Sequence, residues 1–73
     1  MVNRAYDVGA MVRVYFDSSE KVPNIAAKKF DGMVTRINRR FDYGAYGVLF
    51  ELEDAVSDKG MPYVFTTNDL VLV

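Results

Sequence analysis

The chain has 73 residues, 51% hydrophobic and 14% aromatic, with nine Lys/Arg against ten Asp/Glu and a net charge of −1. That length leaves room for one domain, which buries only about 60% of the surface its unfolded chain exposes, so the core must be compact. With no cysteine and no histidine, disulfides, thiolate nucleophiles, zinc sites built on nitrogen or sulfur and imidazole acid/base chemistry are excluded together.

The first fifteen residues, MVNRAYDVGAMVRVY, include Asn3, Arg4, Asp7 and Arg13, so they hold no apolar run suited to a signal peptide or a membrane helix. A cytoplasmic location is the default expectation. Beyond them, several segments alternate apolar and polar residues between Gly and Pro punctuation, and none keeps helical spacing for long, which predicts an all-β chain of five short strands. The first strand is Gly9 to Phe16, with Ala10, Val12, Val14 and Phe16 facing the core and Met11, Arg13 and Tyr15 facing out.

Asp17 to Lys29, polar at its start and interrupted by Pro23, reads as a long loop in which Asn24 to Lys29 could form one helical turn. The second strand is Phe30 to Asn38, with Phe30, Gly32 and Val34 turned inward and Ile37 brought inward by a bulge or twist. Arg39 to Gly44 is expected to be the turn that follows. In the third strand, Ala45 to Glu53, Tyr46, Val48, Phe50 and Leu52 alternate with Gly47, Leu49, Glu51 and Glu53. Asp54 to Pro62 is rich in turn formers and precedes a fourth strand in MPYVFTT. Asn68 and Asp69 fit a single tight turn before a last short strand, Leu70 to Val73.

Five short strands, a long loop after the first, the step Gly32, Val34 and Ile37 in the second and a one-turn break in TTNDLVLV together resemble an SH3-like small barrel from Val8 to Val73. The 3₁₀ turn before the last strand is part of that resemblance. Pro23, the Lys-rich approach to Gly32 and the Tyr-Val-Phe of strand four are similar to the small SH3-like barrel proteins of prophages and mobile elements, the YorP-like group. That resemblance implies architecture more than mechanism. The chain departs from the ribosomal and elongation-factor type, whose approach to the glycine is more basic. FDYGAY is similar to a segment of Tudor domains, but there the motif follows the long third strand and here it precedes it.

Two contact surfaces suggest themselves. Three arginines between two strands, Arg36, Arg39 and Arg40, with Arg13, Lys28 and Lys29, could meet phosphates, while Phe41 and Tyr43 could stack on bases. The plainer reading is a charged hairpin tip at Arg39 to Tyr43, which blunts a sheet against aggregation. Residues 1–40 carry a net charge of +4 and residues 41–73 a net of −5, a weak sign of polarity that strand interleaving can erase. The second surface is apolar: Met11, Tyr15, Met33, Tyr43, Leu49 and Tyr63 fall on outward positions, where they either form a protein contact or cover an open end of the core.

Glu51, Glu53, Asp54 and Asp58 lack a calcium-loop pattern and read as a solvated face. No glycine-rich phosphate loop and no Ser or Thr with a base nearby is recognisable, so no catalytic residue, metal or cofactor is expected. The leading expectation is a non-enzymatic binding or adaptor module with a protein partner. The alternative is nucleic-acid binding through Arg36 to Arg40, and a third reading is an accessory subunit of an enzyme assembly.

Overall fold

The computed structural model describes residues 6–19, 21 and 24–73, with Tyr46 described by its backbone alone. The turn entry at Pro23 and the inward position of the Tyr46 side chain lie outside what is described. Strands β1 (Met11–Val14), β2 (Val34–Asp42), β3 (Val48–Val56), β4 (Pro62–Thr66) and β5 (Leu70–Leu72) are joined by a single-turn helix α1 (Ile25–Lys29) and 3₁₀ turns at Gly44–Tyr46 and Thr67–Asp69. All pairings are antiparallel, in the order β4-β3-β2-β1-β5. The chain is an all-β, SH3-like small barrel whose sheet curls into a half-barrel.

The curl originates in β2, which serves both halves of the sheet. Its first half pairs with β1, Met11 opposite Arg36 and Arg13 opposite Val34, and its second half pairs with β3, Arg40 opposite Phe50 and Asp42 opposite Val48. Between the two, the register slips at Ile37 to Arg39, and a bulge of this kind bends a strand and increases its twist. Inside the curl, Val12 and Val14 of β1, Ile37 of β2, Phe50, Leu52 and Ala55 of β3, Phe65 of β4, Leu70 of β5 and Ala26 and Ala27 of α1 form one buried cluster. Ala10, Phe16, Phe30, Met33, Val48 and Tyr63 pack against its margin.

The first strand has the expected alternation, with Val12 and Val14 buried and Met11 and Arg13 exposed. In β2 the phase is the reverse of the expected one. Thr35 and Ile37 face inward, and Val34, assigned to the core by its apolar side chain, is exposed. A polar residue is tolerated inside because the Thr35 hydroxyl donates to Asp54 Oδ2 at 2.9 Å and accepts from the Asp54 backbone N–H at 3.2 Å. Ile37 follows Thr35 by simple alternation, and the bulge lies after it rather than before it.

The expected turn at Arg39 to Gly44 is largely strand. β2 continues through Asp42, and the reversal is made by Gly44–Tyr46 and Gly47. The backbone of Gly47 closes it at φ 101° and ψ −169°, a conformation essentially restricted to glycine. β3 likewise runs on to Val56, past its expected end at Glu53, and the ladder to β4 slips between Glu51 and Val56. Both Leu52 and Ala55 therefore point inward, with Glu53 and Asp54 exposed between them.

The break before the last strand falls where it is expected, at Thr67–Asp69. α1 exists because Asn24 caps it, its side chain accepting from the Ala26 N–H at 2.9 Å. Lys28 and Lys29 in its last turn complement the helix dipole.

Candidate functional site

Residues directly opposite one another in an antiparallel ladder project from the same face of the sheet. Met11 and Arg13 share the outer face of β1, and the register sets Arg36 opposite Met11 and both Val34 and Val71 opposite Arg13, one on each side. At the end of β1 the Tyr15 N–H donates to the Asp69 carbonyl at 2.8 Å, and the Val73 N–H donates to the Met11 carbonyl at 3.1 Å, which continues the ladder in both directions. The result is a surface across β2, β1 and β5 on which Met11, Tyr15, Val34 and Val71 are 38%, 50%, 43% and 47% exposed and surround Arg13 and Arg36. Of these, Met11, Arg13 and Tyr15 are outward by the sequence pattern, and Arg36 joins them through the reversed phase of β2. Val34 and Val71 are additions: Val34 was out of phase, and Val71 sits in an apolar run, Leu70 to Val73, that carries no alternation to read.

The second half of β2 carries a different arrangement. Arg39 and Phe41 face outward and Arg40 lies on the opposite side, in register with the buried Phe50. The Arg39 guanidinium sits 4.8 Å from the centre of the Phe41 ring and 3.8 Å from Glu51. Phe41 and Tyr43 stack at 6.4 Å with an angle of 24° between their planes. Arg40 is held between Asp7 at 3.5 Å and Asp42 at 3.7 Å. Leu49, opposite Phe41, is half-buried. The face of Phe41 is thus already covered by a cation from its own strand, unlike an open aromatic cage.

Lys28 and Lys29 are elsewhere, on α1 beside β4. Lys28 is exposed, while the Lys29 ammonium lies 5.7 Å from the Phe30 ring and 5.3 Å from the Tyr63 ring and donates to the Tyr63 hydroxyl at 3.3 Å. Phe30 and Tyr63 meet edge to face at 5.4 Å. Met33 and Tyr63, placed outward by the sequence pattern, instead pack half-buried against the core margin. The six basic residues considered for phosphate contact therefore fall into three separate settings rather than one tract.

Among the described residues the ion pairs are Arg39–Glu51, Arg40–Asp7 and Arg40–Asp42, and Arg13 and Arg36 take part in none of them. The described residues hold no cluster of three metal-ligating side chains, and no pocket opens among them. Among the described residues no helix is long and apolar enough to cross a membrane. In the long loop, Asp17 accepts from the Ser19 hydroxyl at 2.6 Å and the Ser19 N–H at 2.9 Å, and these bonds hold its carboxyl below the ordinary value. Comparison with protein-family models, curated proteins and solved structures finds no match.

Proposed function

We propose that this chain is a non-enzymatic binding module that contacts another protein through the outer face of β2, β1 and β5. The supporting observation is the adjacency of Met11, Val34 and Val71 around Arg13, with Tyr15 at the end of β1. A strand face bathed only in water is normally polar, and neighbouring apolar side chains on such a face mark a contact surface. Methionine and tyrosine suit the role because each buries a large area while tolerating repacking or a polar rim. A cytoplasmic setting, as the default expectation, and a prophage or mobile-element origin belong to the same proposal, and the origin rests on the resemblance alone.

The test is a photo-crosslinking amino acid placed in turn at Val34, at Val71 and at Ile25, which is exposed on α1 away from this face. In cells of the source organism, discrete protein adducts are expected from Val34 and Val71 but not from Ile25. Equal labelling from all three positions, or none from the two valines, overturns the proposal. If the adduct proves to be an enzyme subunit, the module is an accessory piece of that assembly.

A second reading, nucleic-acid binding, draws support from the outward row of Arg36, Arg39 and Phe41 along β2, with Tyr43 stacked on Phe41 just beyond the strand. It is the weaker one, because Arg39 is engaged by Glu51 and Phe41, and Arg40 by two aspartates, leaving the stacked rings without an unengaged cation beside them. Titration of short single- and double-stranded oligonucleotides at low salt decides it. Binding that falls steeply with salt and is lost on Phe41→Ala would favour nucleic acid.

A further inference from the structure

We infer that the partner docks an extended acidic segment on the β2-β1-β5 face, with carboxylates at alternate positions meeting Arg13 and Arg36 and apolar residues covering Met11, Val34 and Val71. The inference rests on the protein-contact reading above and adds the chemistry of what is bound. Its basis is a contrast among the arginines of the sheet. Arg39 and Arg40 are each paired with carboxylates, whereas Arg13 and Arg36 join none of the ion pairs among the described residues.

These two arginines are also the charged side chains that the ladder sets among Met11, Val34 and Val71. A neutral apolar partner covering those side chains would strip water from two guanidinium groups without supplying partners for them, which opposes binding. A partner that supplies carboxylates removes that cost, and bidentate bonds from the guanidinium fix its orientation. The stems of both arginines can lie along the neighbouring aliphatic side chains with their heads free to pair.

The spacing narrows the class further. Met11 opposes Arg36 while Arg13 opposes Val34, so the two arginines are diagonal neighbours, about 7–8 Å apart at the backbone. Carboxylates two residues apart on an extended chain are separated by about 6.6 Å, which matches. On a helix, residues three or four apart are closer, about 5–6 Å between Cβ atoms. Phosphates would also satisfy the charges, with Tyr15 at the end of β1 as a ring on which a base could stack, so an oligonucleotide serves as the competing probe.

The experiment titrates four probes into the ¹⁵N-labelled protein. Three are twelve-residue peptides with identical apolar residues, bearing two Glu, two Gln or two Lys at alternate central positions, and the fourth is a single-stranded oligonucleotide. The Glu peptide is expected to shift the amides of Met11, Arg13, Tyr15, Val34, Arg36 and Val71, to bind at least about tenfold tighter than the Gln peptide, and to lose that advantage in the Arg13→Gln/Arg36→Gln double variant. Both sites are on the surface, and an unchanged spectrum of the free variant verifies its fold. Equal binding of the Glu and Gln peptides to this face overturns the acidic inference while leaving the contact reading intact. No shift at this face with any peptide overturns the inference, and the Val34 crosslink then decides the contact reading by itself. Shifts of this face by the oligonucleotide alone overturn it in favour of nucleic acid.

Discussion

Asn24 and Asp69, 45 residues apart in the chain, are joined by a 2.8 Å hydrogen bond from the Asn24 amide to Asp69 Oδ2. The same oxygen accepts from the Thr66 N–H at 2.9 Å and the Thr66 hydroxyl at 3.0 Å, so a carboxylate only 3% exposed is satisfied without a cation. Asn24 also caps α1 and donates to the Val64 carbonyl at 3.1 Å. One side chain thereby pins the helix, β4 and the last turn together. Asn24→Ala is expected to cost about 2–3 kcal/mol, combining a lost cap with a weakened buried carboxylate. Urea denaturation measures it, and a loss under about 0.5 kcal/mol would mean that the clasp contributes little.

The reversed phase of β2 separates two adjacent positions. Thr35→Val keeps the shape but strips the hydroxyl that serves both the side chain and the backbone of Asp54, so a loss of about 1–2 kcal/mol is expected. Val34→Thr, on the exposed side, should stay within about 0.5 kcal/mol. Paired urea midpoints test the contrast, and the opposite ordering would contradict the register of β1 against β2.

That contrast also marks where the fold was legible in the sequence. β1 and the close of the chain could be read because Val12 and Val14 alternate with exposed residues and Thr67 to Asp69 are turn formers next to Leu70. In β2 the local pattern points the wrong way because Val34 is apolar and Thr35 is not, while the inward choice depends on Thr35 standing opposite Val12 in β1 and bonding to Asp54 in β3, partners that lie far along the chain. Arg39 to Asp42 looked like a turn because it is rich in charge, although Arg40 occupies an inner position through two aspartates that no local pattern announces. On the candidate face, Met11, Arg13 and Tyr15 could be read as outward, but Arg36 and Val34 come outside only with the reversed phase of β2, and the joining of all of them with Val71 depends on register.

Gly47 offers a test of backbone strain free of crowding. Beyond its two chain neighbours no atom lies within 4 Å of where a Cβ would stand, yet φ is +101°. Gly47→Ala should therefore destabilise by about 1–3 kcal/mol through conformation alone, read as a shift in the urea midpoint. A neutral result would show that the β2–β3 turn can adopt another geometry at little cost.

Asp17 gives a pH signature. Its carboxyl is held below the ordinary value of 3.8, first by the Ser19 hydroxyl and then by the Ser19 N–H. A group lowered in the folded state stabilises its turn fully above the unfolded value and loses that contribution as pH falls through the folded one. An NMR titration should place its midpoint below 3.8, and Ser19→Ala should move it back toward 3.8. No upward move in the variant would mean that the hydroxyl contact does not persist in solution.

The bulge after Ile37 gives β2 two reading frames. Even-numbered residues face solvent before it and odd-numbered ones after it, so Arg36 and Arg39, three apart, emerge on one side while Arg40 turns to the other. Deleting Asn38 would seat Arg39 directly after Ile37, which leaves Arg39 and Phe41 outside and Arg40 inside but removes the bend. The extra residue therefore changes the direction of the strand rather than which side chains emerge, and it turns the two ends of one short strand onto differently oriented surfaces.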